Sequence, residues 1–268
     1  MTTKRITFFG MPLDVGADSR TVCDLLRDKK SPRQVAFAGP GAWDLARKRP
    51  DYLAALQRMT LVLPEGEGVS IACRLLTGEP AKAQQFDDLS LAKPFLDAVR
   101  DTGTTLALVG GAPGVDETAA AKMQSRHPGI VVVDSVHGFG EFSAKITRIL
   151  SKNPECILVS MQTPRQEAFM TALMDAGYQG MIVGCGDYFD DLASVEETVP
   201  PEWVARYRLA SLYRFREKPA KRWQRYVIEY PLFAMPVVGE RAIKAFKRLR
   251  VVGEDVVKEI SKKLSADC

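Results

Sequence analysis

Two polar turns interrupt the apolar runs of this chain where a side chain could do chemistry. The first is Pro64-Glu65-Gly66-Glu67-Gly68, directly after the apolar run Leu61-Val62-Leu63. A carboxylate on so tight a turn is aimed by its backbone, and one facing a cleft would act as a general base. A solvated loop glutamate is the other reading of the same residues. The second is Gln162-Thr163-Pro164-Arg165-Gln166-Glu167, between the apolar run Cys156–Met161 and a helical pattern reaching Ala176. Pro164 suits a first helical turn, where its missing N–H would have no partner anyway. Gln166 and Glu167 would then sit beside free backbone N–H groups that favour an anionic ligand. An ordinary strand–helix loop with a surface Gln and Glu fits equally well.

Three further turns deserve the same test. Gly110-Gly111-Ala112-Pro113-Gly114 joins an apolar run to a helical pattern, and glycines there let backbone N–H groups approach a phosphate. It is neither GxGxxG nor a Walker loop, which argues against a dinucleotide or ATP site, and a plain turn is the competing reading. His137 follows another apolar run and could donate to an oxyanion or a phosphate, or simply hydrogen-bond within its loop. Gly184-Cys185-Gly186 opens the last turn, with Asp187 and Asp190 just beyond. Those two aspartates, three apart, make no DxD motif. Two histidines and five scattered cysteines without a CxxC give no zinc pattern, so no metal is expected, and the missing GxGxxG and Walker loop leave no cofactor to expect.

These turns need elements to hold them. Short, almost wholly apolar strands at about 35–37, 61–63, 105–109, 130–134, 156–161 and 181–183 alternate with helical patterns. That rhythm predicts an α/β fold: a Rossmann-like parallel sheet flanked by helices on both faces, spanning residues 1–200. A first strand is expected at 6–9, with a loop through Met11-Pro12-Leu13. Polar residues collect past the carboxyl ends of the strands, where open parallel sheets bind ligands.

Charge divides the chain. Residues 1–202 carry 21 Lys/Arg against 26 Asp/Glu, a balance of −5, whereas residues 203–250 carry 13 against 3, or +10. The basic stretch is also aromatic and helical in pattern, so residues 201–268 read as an appendage that meets phosphate or an anionic membrane surface. Nucleic acid ranks lower because none of its binding motifs is present, and a plain helical lid is the bland reading. No apolar run approaches the ~20 residues of a membrane span, and the start lacks a secretory signal. The expected place is the cytoplasm, with the basic stretch attaching peripherally to a membrane surface. Buried free thiols in a reducing compartment are the default for the cysteines.

Taken in order, the stretches resemble the WecG/TagA/CpsF family of glycosyltransferases (family 26) over roughly residues 8–230. The resemblance rests on Gly110-Gly111 with its helix and His127-Pro128, Pro164-Arg165-Gln166-Glu167, and Gly184-Cys185-Gly186 with Phe189-Asp190. In the appendage it rests on Pro201, Trp203, Leu212-Tyr213-Arg214, and Pro219 with Arg222, Arg225 and Tyr226. It implies a Rossmann-like, GT-E-like core and a metal-independent, inverting transfer from a UDP-sugar to a polyprenyl-diphosphate-linked saccharide, for a surface or exopolysaccharide.

Carried across, the family's catalytic aspartate falls on Glu65. Gly110, Gly111, His137, Gln166, Glu167, Gly186 and Asp190 would hold the nucleotide, and Arg214, Arg222 and Arg225 the diphosphate of donor or lipid acceptor. Departures are Glu65 itself, one methylene longer than aspartate, and Ala38-Gly39-Pro40 in place of the family's Thr-x-Asn. Phe86-Asp87 and Ser194 likewise stand where the family has Thr-Gly and Gly. Three functional readings therefore stand: a divergent transferase, a non-catalytic nucleotide-sugar-binding homologue that scaffolds a polysaccharide complex, and a nicotinamide oxidoreductase disfavoured by the missing GxGxxG. A homo-oligomer is compatible with each.

Overall fold

The computed structural model describes residues 3–28, 33–79, 81–194 and 231–239 of the 268. The expected domain boundary near 200 and the arginines Arg214, Arg222 and Arg225 lie outside the described residues. The core of the fold is a parallel sheet built from β3 (Arg33–Ala38), β4 (Leu61–Pro64), β5 (Thr105–Gly110), β6 (Val131–Val136), β7 (Cys156–Ser160) and β8 (Met181–Gly184). Their order across the sheet is β4-β3-β8-β7-β5-β6, and every neighbouring pair is parallel. This is the Rossmann-like α/β arrangement that the apolar strands predict.

Alternation of side chains across each strand explains why those strands are apolar throughout. Along β7, Ile157 and Val159 enter one core while Cys156 and Leu158 enter the other, and β3 divides Ala36 and Ala38 from Val35 and Phe37 in the same way. The first face is covered by α2 (Pro40–Lys48), α3 (Pro50–Arg58), α4 (Gly66–Thr77), α7 (Phe142–Ser151) and α8 (Arg165–Asp175). The second is covered by α1 (Ser19–Arg27), α5 (Ala92–Thr102), α6 (Val115–Arg126) and α9 (Tyr188–Ala193).

The amino-terminal segment differs from its expectation. Instead of one strand and a loop it forms an antiparallel hairpin, β1 (Lys4–Phe8) with β2 (Met11–Val15), joined at Phe9 (φ 50°) and Gly10 (φ 84°). Two left-handed residues suit the twist of a two-residue hairpin, but Phe-Gly lacks the Asn-Gly signature that would announce one. The hairpin is pinned to the sheet through Asp14. Its carboxylate accepts from Arg5 at 3.0 and 2.7 Å and from the backbone N–H of Val62, on edge strand β4, at 2.6 Å. An edge amide is thereby satisfied without opening the sheet to another chain.

Candidate functional site

The carboxyl ends of β3, β4, β7 and β8 surround a cavity of about 710 Å³. Each contributes the turn that follows it: Gly39 to Leu45 after β3, Glu65 after β4, Met161 to Thr163 with Gln166 after β7, and Cys185 to Asp187 after β8. The two turns from which chemistry was expected therefore meet across one opening, although about a hundred residues of chain separate them.

Glu65 caps the N-terminus of α4 with extended backbone. Its N–H donates to Ala38 O at 2.9 Å, so the end of β3 sets its direction. Gly66 follows at φ 80°, a left-handed turn that a residue with a β-carbon would resist. The glutamate is thus placed by sheet pairing on one side and a forced turn on the other.

Gln166 lies on the opposite wall, 4% exposed, and its amide is held at both ends. Oε1 accepts from Gly186 N–H at 2.9 Å, and Nε2 donates to Glu167 Oε1 at 3.4 Å. The side chain rests on Gly184, where a β-carbon would stand 2.5 Å from Nε2, so only glycine leaves it room. Ser160 completes the wall. Its hydroxyl donates to Gly186 O at 2.6 Å and accepts from Phe189 N–H at 3.2 Å, which fixes the turn leading into α9.

The remaining expected nucleotide residues are placed behind or beside this wall. Glu167 is fully buried, its Oε1 accepting from the Thr163 hydroxyl at 3.2 Å as well as from Gln166. Gly110 and Gly111 end β5 against Ser160: a β-carbon on Gly110 would fall 2.0 Å from Ser160 O, and Gly111 N–H donates to that oxygen at 3.0 Å. These glycines permit close packing of two strand ends, and neither lines the cavity. His137 lies next to them, its Nδ1 accepting from Phe139 N–H at 3.3 Å, while Gly138 N–H donates to Gly111 O. Asp190 is in the first turn of α9, yet Asp187 and Asp191 are the aspartates of that segment that line the cavity.

The structure adds lining residues that sequence reasoning did not single out. Trp43, Asp44 and Lys48 come from α2 and Gln85 from the loop before α5, beside Phe86, which the family resemblance already marks. Phe86 meets the Tyr188 ring edge-on at 5.1 Å, and the Tyr188 hydroxyl donates to Asp88 at 3.0 Å. Leu232 lines the cavity from the helical run 231–239, whose Phe233 packs within 6.2 Å of Phe8, Phe9 and Trp43. That much of the carboxyl-terminal region therefore reaches the mouth of the site. Trp43 lies three residues beyond the Ala38-Gly39-Pro40 turn, which was the available signal; Phe86 is marked in the sequence only as a departure from the family pattern.

Electrostatically the described lining is acidic, with Asp44, Glu65, Asp187 and Asp191 against Lys48. Burial pushes the Glu167 carboxyl up to about 6 from its usual 4.5, with hydrogen bonds opposing that rise and the charge on Glu65 adding to it. Tyr52, buried on α3, is raised by burial first and then by the charges of Glu167 and Glu65. Among the described residues no three His, Cys, Asp or Glu side chains are grouped to hold a metal ion. None of the described helices is long and apolar enough to cross a membrane.

Comparison with known proteins shows what the chain is similar to. The model of the family described as "Glycosyl transferase WecG/TagA/CpsF family" matches residues 6–247. The chain is 25% identical over 228 residues, 84% of its own length and 93% of the relative's, to a UDP-Gal:alpha-D-GlcNAc-diphosphoundecaprenol beta-1,4-galactosyltransferase of Shigella boydii. It is 24% identical over 219 residues, 81% of this chain and 83% of the relative, to an N-acetylglucosaminyldiphosphoundecaprenol N-acetyl-beta-D-mannosaminyltransferase of Bacillus subtilis (strain 168). The enzyme of the same description from Bacillus spizizenii (strain ATCC 23059 / NRRL B-14472 / W23) is 25% identical over 217 residues, 80% and 82% of the two chains.

Proposed function

The chain belongs to the WecG/TagA/CpsF family of glycosyltransferases, and on that premise we propose that it moves a sugar from a UDP-sugar to a polyprenyl-diphosphate-linked saccharide, with inversion and without a metal. One observation carries this reading: Glu65 and the Gln166–Gly186 pair, which follow strands separated in the sheet, line a single cavity at the carboxyl ends of the strands. The names of the relatives support a lipid-diphosphate acceptor.

In this reading Glu65 accepts the proton of the acceptor hydroxyl, whose oxygen attacks the anomeric carbon. The bond from that carbon to the nucleotide diphosphate breaks, and UDP leaves with the electron pair from the opposite face. Gln166 and the Gly186 turn hold the nucleotide side, with Glu167 and Asp190 behind them, while Gly110, Gly111 and His137 support that wall from outside the cavity through Ser160. The diphosphate needs cations, and among the described lining residues Lys48 is the one Lys or Arg. Arg214, Arg222 and Arg225 would supply them as charge develops on the leaving group.

The same basic stretch would attach the protein peripherally to the inner face of the membrane, where the acceptor is. Full-length protein is expected to sediment with anionic liposomes in a salt-sensitive way, and protein truncated near residue 200 is not. Equal binding to neutral vesicles at high salt contradicts that attachment. Transfer itself is tested with radiolabelled UDP-sugars and a polyprenyl-diphosphate glycan. Multiple turnovers support the transferase, whereas UDP binding without transfer to any lipid acceptor marks a non-catalytic homologue.

A further inference from the structure

Glu167 is costly where it stands. A carboxyl removed from water loses its hydration, and a buried polar atom without a partner loses a hydrogen bond as well. Yet Glu167 is fully buried in the first core, and its Oε2 makes no hydrogen bond. The Tyr52 hydroxyl on α3 and the Thr171 hydroxyl, one turn further along α8, are buried without partners too. An apolar side chain of similar volume would fill this space at lower cost.

The other carboxyl oxygen shows what the residue does. Oε1 accepts from the Thr163 hydroxyl and from the Gln166 amide, and both of those residues line the cavity. Gln166 must present oxygen to Gly186 N–H and nitrogen to Glu167, so its amide has a single orientation in which both neighbours are satisfied. Glu167 thus acts from inside the core on two polar side chains of the wall, and on the glycine turn beyond them.

Among the described residues, the elements packed around Glu167 direct most of their charges elsewhere. Tyr52 faces it from α3, and Glu65 acts on it from the β4–α4 junction. On α8, Arg165 turns to the carbonyls of Gly138 and Gly140. On α7, the Lys145 ammonium lies by Gly140, and Arg148 pairs with Asp134. At the far end of α8, Asp175 pairs with Arg58 of α3. Strands β7 and β8 bring no Asp, Glu, Lys, Arg or His. The charge nearest in influence is therefore that of Glu65.

We propose that Glu167 is a positioning residue of the transfer centre: its carboxylate fixes the Gln166 amide and the Thr163 hydroxyl against the cavity. This rests on reading Glu65 as the base. Above the titration of Glu167 the carboxylate accepts both hydrogen bonds. Below it the carboxyl is protonated, accepts more weakly, and the wall loosens.

The test is Glu167→Gln in the full chain, with turnover of a UDP-sugar measured from pH 5 to 8.5. The wild type should show a step in kcat that rises through about pH 6. In Glu167→Gln that step should vanish and kcat should fall at least about tenfold with KM for the donor little changed, as small displacements at a reacting centre cost that much or more. Thr163→Val removes one of the two hydrogen bonds from the exposed side and should reproduce part of the loss. In the double variant the two effects should be less than additive, because they act through one contact.

An unchanged step and an unchanged kcat in Glu167→Gln overturn the proposal. Strict additivity with Thr163→Val overturns it as well, and that cycle is read from Thr163→Val and Glu167→Asp if the Gln variant does not fold. Full activity in Glu65→Gln would instead remove the base, a result separable from this one.

Discussion

The buried carboxyl that orders the cavity wall should also weaken the fold, and the size of that effect follows from its titration. Burial raises Glu167 from 4.5 to about 6. Well below pH 4.5 the group is protonated in the folded and the unfolded chain alike, so it contributes nothing to the difference. Between 4.5 and 6 the unfolded chain releases the proton while the folded protein keeps it, so stability falls as pH rises. Above 6 both are ionised and the loss is complete. A displacement of roughly one and a half pH units corresponds to about 2 kcal/mol.

Glutamine at 167 has the same shape and no charge to bury. The unfolding free energy of Glu167→Gln minus that of the wild type should therefore grow by about 2 kcal/mol between pH 4 and pH 7.5. For a chain of this size that is roughly 4–8 °C in Tm. Carboxylates held down by surface cations, such as Asp44 beside Lys48 and Asp175 beside Arg58, titrate in both proteins and cancel in the difference. Urea denaturation at the two pH values measures the quantity directly. A difference that does not change with pH, or one that shrinks as pH rises, refutes the reasoning, because the carboxylate would then be stabilised in place. The expected outcome couples two properties: the variant is more stable at pH 7.5 and slower in transfer, as when a site retains a costly residue for its work.

Two further perturbations probe the scaffold around the wall. Gly110→Ala places a β-carbon 2.0 Å from a backbone oxygen of β7, where nothing flexible can yield. It should cost about 3 kcal/mol or more, seen as a lower urea midpoint, and wild-type stability would show that the β5 and β7 ends are not packed this way. The thiols of Cys23, Cys73, Cys156 and Cys185 are buried, and burial raises each of them. In a Cys268→Ser protein at pH 8 a thiol reagent should label them only on unfolding, and rapid native labelling would contradict that burial.

The strands that hold the site could be read from residue type, because a strand buried on both faces has to be apolar along its length. Cys156–Ser160 and Met181–Gly184 show this plainly. What the sequence could not carry was the lateral order of those strands. β5 and β6 lie beyond β7, so the Gly110-Gly111 turn meets the back of Ser160, while the Glu65 turn on β4 reaches the opening that Gln166 lines. A phosphate-binding turn and a packing turn have the same local composition, and only the neighbouring strand tells them apart. Helix α3 was missed although Pro50-Asp51 is a proper helix start; it follows α2 after one residue, and the two patterns merge. Glu167 reads as a surface residue beside Gln166, and its burial becomes visible only once α3 lies over α8.

The most direct measurement compares wild type and Glu65→Gln in transfer of labelled sugar from UDP-sugars to a polyprenyl-diphosphate glycan, with UDP binding followed in parallel. Glu65→Gln should bind UDP as the wild type does and lose a factor of about 100 or more in kcat. Undiminished transfer by Glu65→Gln would contradict the assignment of the base, and with it the chemistry drawn around this cavity.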